Sequence, residues 1–195
     1  MKNPILVYQA KSFYNAFILL EQTKVEDDEL LLVVPRLVYG AFSVEVTLKA
    51  LLTEQGISYG KEHNLKTLFE KLPFEIQNQI WCYLLAKAPE YSDTEKRENE
   101  LILISSAFVN WRYCYEPHRA PALDSRFLAA FANAAITVMF ELGYNIFFKE
   151  SQKPHSSEED AEIDRKFEEN RRFFLTHHNQ GKHSKKREKN YVIAV

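Results

Sequence analysis

Two side chains near the middle of the chain, Arg112 and His118, carry the residue types for phosphate chemistry. They stand in the stretch FVNWRYCYEPHRA, residues 108–120, which is otherwise crowded with aromatic and apolar residues. On an unbroken helix, residues six apart diverge by about 120° and are separated by roughly 9 Å of rise, so they share no ligand. Pro117 changes that, because proline disfavours helical geometry at Glu116 and removes a backbone donor. With the helix stopped there, His118 can fold back beside the turn that carries Arg112. A guanidinium binds and neutralises a phosphate bidentately, and an imidazole moves a proton near neutral pH. Together they are the minimum equipment for cleaving RNA without a metal, the ribose 2′-hydroxyl serving as nucleophile. The same spacing admits a plainer arrangement, in which Arg112 pairs with Glu116 at i,i+4 and His118 is an exposed loop residue.

Glu45 is the second polar residue in an apolar setting. It stands on a helix otherwise rich in Val, Ala and Leu, with Lys49 following at i+4 in the favoured acid-then-base order. Two readings are open: a carboxylate that reaches a site shared with Arg112, or a local ion pair at the edge of a stripe. His63 precedes the short segment NLKTLFEKL and is expected to pack and hydrogen-bond near a helix start. His177, His178 and His183 lie in a tail without rigid metal-ligand spacing, so no metal or cofactor site is expected. Glycine-rich phosphate loops, paired CxxC motifs, HExxH and GxSxG are not found in the sequence.

The elements that must position these residues read as helices. Leu, Ala, Glu and Lys dominate the long segments, and five glycines and seven prolines in 195 residues are too few for a loop-rich all-β chain. Helical spacing places a first helix over about 5–22, with Leu6, Phe13, Phe17 and Leu20 on its apolar face. The acidic KVEDDE follows as a loop. A second helix runs from about Pro35 to Glu54 with the stripe Leu37, Ala41, Val44, Leu48 and Leu51, ended by Gly56 and Gly60. A short helix with Leu65, Leu68, Phe69 and Leu72 stops at Pro73, and another covers FEIQNQIWCYLLAK. A long helix, capped by Asp93 or Thr94, extends to Pro117. The last core helix is capped by Asp124 and kinks or ends at Gly143.

Beyond Phe148 the texture changes. Residues 1–148 carry 14 Lys/Arg against 18 Asp/Glu, and residues 149–195 carry 11 against 9. The reading is one helical domain over 1–148 and a charged, partly disordered extension over 149–195, helical between about Glu158 and Phe174. Cys82 and Cys114 sit in apolar helical patterns as small hydrophobes. No apolar run is long enough for a membrane span, and the first residues lack a secretory h-region. A cytoplasmic protein is expected.

Three segments in this order resemble the HEPN superfamily, the higher-eukaryote and prokaryote nucleotide-binding domains. They are AFSVEVTLKALL (Ala41–Leu52), HNLKTLFEKL (His63–Leu72) and FVNWRYCYEPH (Phe108–His118). The resemblance spans roughly Ile5 to Phe148. It implies an all-α antiparallel up-and-down bundle of about four or five helices, and a side-by-side homodimer. Ribonuclease members carry an arginine followed after four to six residues by a histidine, the two copies meeting at the dimer interface. Arg112 and His118, with five residues between them, match. A polar residue from the preceding long helix often assists, a role that falls to Glu45. The resemblance therefore implies a metal-independent endoribonuclease, a toxin or defence effector, with catalytic residues Arg112, His118 and Glu45 and RNA as substrate. Tyr113 departs from the small polar residue that often follows the arginine. The alternative it leaves is a non-catalytic binding module that docks a partner protein, such as a nucleotidyltransferase or an antitoxin, or a nucleotide.

Overall fold

A computed structural model of the chain describes residues 3–23, 32–105 and 124–143, together with Glu162, Arg165, Lys166, Glu169 and Arg172. Six α-helices cover most of these residues: α1 (Pro4–Gln22), α2 (Val33–Glu54), α3 (Leu65–Glu70), α4 (Phe74–Lys87), α5 (Thr94–Ile104) and α6 (Ser125–Glu141). A short 3₁₀ turn, Pro89–Tyr91, joins α4 to α5. Among the described residues there is no strand, and no helix is long and apolar enough to cross a membrane. The segments carrying Arg112, Cys114, Glu116, Pro117 and His118, the acidic KVEDDE and the three tail histidines lie outside the described residues.

Local chemistry sets most of the helix ends. Asn3, Asn64, Asp93 and Asp124 each accept a hydrogen bond from a backbone N–H in the first turn of the helix they precede. An N-cap of this kind contributes roughly 1 kcal/mol. At the end of α2, Gly56 adopts a φ of 67°. The N–H of Ile57 bonds the Leu52 carbonyl at 2.9 Å, and that of Gly56 bonds Thr53 at 3.1 Å. This paired closure satisfies the last carbonyls and turns the chain back along the helix it leaves.

Helix α2 is the centre of the assembly, packed against α1, α3 and α6. All five stripe positions, Leu37, Ala41, Val44, Leu48 and Leu51, are buried. Gly40 is the point of closest approach: a Cβ there would meet Phe17 and Leu128 side-chain atoms at 3.1 Å, so α1 and α6 both press on that backbone. Arg36 donates to the Leu20 and Thr23 carbonyls at 2.9 Å, which ties the start of α2 to the end of α1 and places a cation at that helix's negative pole. Helix α1 runs antiparallel to α2, with Phe13 edge-on to Phe42 at 4.4 Å.

The core face of α1 differs from the expected one. Val7, Ala10 and Phe17 are buried, whereas Leu6, Phe13 and Leu20 are half-buried. Phe17, the one expected position that is fully buried, is the side chain that fills the close passage at Gly40. On the other side of the bundle Phe131 of α6 lies edge-on to Phe69 of α3 and Trp81 of α4, both at 5.5 Å. These T-shaped contacts add to area burial. Helix α3 is anchored at its start by α5, since Leu65 N–H donates to the Ser105 carbonyl and Lys66 N–H to the Ser105 hydroxyl.

Candidate functional site

Of the three residues singled out for catalysis, Glu45 is the one within the described residues. It sits mid-way along α2 among Val44, Val46 and Leu48, and its side chain is 2% exposed. Both open readings predicted polar company for it, and the local ion pair is present: Lys49 Nζ donates to Glu45 Oε1 at 2.8 Å. Lys49 itself is only 12% exposed, and its ammonium lies 5.4 Å from the centre of the Tyr59 ring. A desolvated ammonium over an aromatic face gains further from the ring quadrupole.

A second side chain reaches the same oxygen. His63 Nδ1 stands 2.9 Å from Glu45 Oε1. The reversal at Gly56 makes this contact, because it sends residues 57–64 back along the outside of α2. The backbone at His63 is then fixed locally: Glu62 Oε1 accepts the N–H groups of His63 and Asn64 at 2.9 and 2.8 Å. Those two hydrogen bonds hold the Glu62 carboxyl below its ordinary range. The sequence pointed to a packed, hydrogen-bonded histidine. The hydrogen bond is present, but the side chain is 55% exposed, so its packing is slight.

An ionised carboxylate is acceptor-only, which assigns the hydrogen at Nδ1 to the imidazole. The neutral ring then holds its lone pair at Nε2. Among the described residues no hydrogen bond engages Nε2. The other carboxylate oxygen, Glu45 Oε2, is buried and has no hydrogen-bond partner among the described residues. Buried carboxylate oxygens are seldom left so, because the desolvation cost goes unmatched. The site thus has one committed oxygen that gathers two hydrogen-bond partners, and one oxygen in the interior with none among the described residues.

Arg97 is a buried charge that no sequence pattern flagged. It is 4% exposed, donates to the Tyr91 carbonyl at 3.3 Å and lies 4.8 Å from the Trp81 ring centre. Burial pulls its guanidinium pKa down. In the sequence it stands inside DTEKRENE, a run that reads as solvated. Only its i,i+4 relation to Leu101, also buried, hinted at an inward face. Nearby, the buried Tyr91 hydroxyl donates to Asp124 at 2.7 Å, joining the 3₁₀ turn to the cap of α6.

Among the described residues no three His, Cys, Asp or Glu side chains gather closely enough to hold a metal ion. No family model, curated protein or solved structure matches the chain.

Proposed function

We propose that this chain is a metal-independent endoribonuclease of the HEPN type, acting in the cytoplasm as a homodimer in the manner of a toxin or defence effector. Arg112 binds the scissile phosphate and stabilises its growing charge. His118 carries a proton, and the substrate's own 2′-hydroxyl is the nucleophile. Glu45 orients one of the two.

The observation that carries this reading is the buried, uncommitted Oε2 of Glu45. A carboxylate fixed by Lys49 and His63 through one oxygen offers the other to an incoming donor, and a guanidinium or imidazolium is the donor class that best offsets its desolvation. Chain connectivity is compatible. Ser105 is hydrogen-bonded to the start of α3, two or three residues after His63. Arg112 follows seven residues later in the sequence (105 to 112), a stretch that spans at most about 25 Å when fully extended.

One observation favours the second reading, a binding module that docks a partner protein such as a nucleotidyltransferase or an antitoxin, or a nucleotide. Lys49 and His63 already close around Glu45, as a purely structural clamp would. RNA cleavage in EDTA separates the two. A nuclease cleaves without added metal and is disabled by both Arg112→Ala and His118→Ala. A binding module cleaves nothing, and His118→Ala changes no RNA activity.

A further inference from the structure

We propose that the outer face of α1 is a self-association surface, on which a second copy of this chain lays its own α1 antiparallel across a two-fold axis. The proposal goes beyond the ribonuclease reading and draws on nothing in it.

A helix on the outside of a bundle ordinarily turns charged residues to water. Helix α5 does so, with Glu95, Lys96 and Asn99 exposed. Helix α1 does not. Its 19 residues hold two charges, Lys11 and Glu21. At 3.6 residues per turn, Ile5, Tyr8, Ser12, Ala16 and Leu19 fall within an arc of about 80°, opposite the buried Val7, Ala10 and Phe17. Neither charge lies in that arc. Lys11 is half-buried, and its ammonium stands 5.5 Å from the centre of the Phe140 ring on α6. The three most exposed large apolar side chains among the described residues are all on the arc: Ile5 at 68%, Leu19 at 66% and Tyr8 at 63%. On α2, Tyr39 widens the apolar face; it is 38% exposed, and its ring lies 5.8 Å from that of Phe13. The seam 5, 8, 12, 15, 19 alternates steps of three and four, the repeat of a helix that packs lengthwise on another at a shallow angle.

Charge and residue order together select a second copy as the occupant. A charged partner surface would lose its water here and find no counter-charge, whereas an uncharged face loses nothing of that kind. The seam is bulky towards both ends and small and polar in the middle. Antiparallel pairing about an axis near residues 13 and 14 sets Tyr8 against the partner's Leu19. It also sets Ser12 against the partner's Asn15, a hydroxyl and an amide that can bond each other. Every such contact occurs twice, as an isologous interface requires, and antiparallel helix dipoles favour the same direction. Ile5, Tyr8, Leu19 and Tyr39 each offer on the order of 100 Å². With Gln9, Ser12 and Asn15, all exposed, the face approaches the roughly 600 Å² per partner at which specific interfaces begin.

Sedimentation velocity of the full chain tests this, with wild type compared against Tyr8→Lys and Leu19→Glu. Both positions are exposed, so each variant is expected to keep the wild-type circular dichroism spectrum. Each is expected to sediment at half the wild-type mass, its dissociation constant raised roughly 30-fold or more. An equimolar mixture of the two variants is expected to recover the wild-type mass, because antiparallel pairing puts the new ammonium of one chain beside the new carboxylate of the other. Variants that keep the wild-type mass, or a wild type that is already monomeric, mean that copies do not meet on α1, and the proposal fails. Variants that separate but do not re-associate on mixing overturn the antiparallel pairing. RNA cleavage in EDTA, measured separately, decides the ribonuclease reading whichever way the masses fall.

Discussion

Two buried charges, Glu45 on α2 and Arg97 on α5, solve the same problem in opposite ways. Arg97 spends its guanidinium on the fold. It bonds the backbone carbonyl of Tyr91, lies over the Trp81 ring and joins α4, α5 and the 3₁₀ turn between them. Glu45 is buried as deeply, at 2% exposure against 4%. Its partners lead outward, however, from Lys49 at 12% exposure to His63 at 55%. One oxygen remains uncommitted. The difference lies in where their partners lead: inward to a backbone carbonyl and an indole ring for Arg97, outward to a half-exposed imidazole for Glu45.

The largest expected effect of breaking this contrast comes at Lys49. Lys49→Met removes the buried partner of a buried carboxylate, and stranding such a charge costs about 3–5 kcal/mol. Urea unfolding measures it; a loss below about 1 kcal/mol would mean that Glu45 is effectively solvated. Arg97→Met comes next. It keeps the aliphatic stem against Trp81 but removes a charged donor from a backbone carbonyl, a loss of about 1–3 kcal/mol. The comparison is sharpened by activity: Arg97→Met is expected to leave RNA cleavage at the wild-type rate below its melting temperature, whereas Lys49→Met lowers it. Equal losses of activity in the two variants would erase the distinction.

Tyr91→Phe should cost least, about 1 kcal/mol at pH 7, by removing the hydrogen bond to Asp124. Its pH dependence follows from the two groups. Burial alone would raise the Asp124 carboxyl, but the bonds from Tyr91 and from the Arg126 N–H outweigh it and hold the pKa below its ordinary 3.8. A depressed carboxylate contributes stability that is present above 3.8 and lost as pH falls through the lower, folded value. Burial first, and then Asp124, push the Tyr91 phenol above its ordinary 10.0. A raised pKa contributes stability that is present below 10 and lost as pH rises above it. Wild type should therefore exceed Tyr91→Phe across the window between about pH 4 and pH 10, and the gap should narrow at both ends. A gap that stays constant below pH 3 would contradict the assigned bond.

Much of the helical frame was legible because it rests on local signals. The stripe on α2 follows from a 3.6-residue period, the Asp93 and Asp124 caps from side-chain chemistry, and the end of α2 from Gly56. On α1 Phe17 was legible as core, but the full burial of Val7 and Ala10 in place of Leu6, Phe13 and Leu20 is set by how α1 packs on its neighbours, which helical spacing does not encode. The Glu45–Lys49 pair was legible as an i,i+4 relation. The Glu45–His63 contact was not, since it joins residues 18 apart through a chain reversal that sequence spacing does not encode. Arg97 was hidden because a charged run gives no sign that one of its members points inward. Arg112 and His118 fall outside the described residues, so their place relative to Glu45 rests on sequence and chain connectivity.

The most direct test of the central claim is the chemistry of the cut ends. RNA incubated with the purified full chain in EDTA should yield fragments ending in 2′,3′-cyclic phosphate or 3′-phosphate with 5′-hydroxyls opposite, and His118→Ala should reduce their formation roughly 10²-fold or more without lowering the melting temperature. Intact RNA in EDTA with cleavage restored by magnesium, or cleavage unchanged in His118→Ala, would contradict the account.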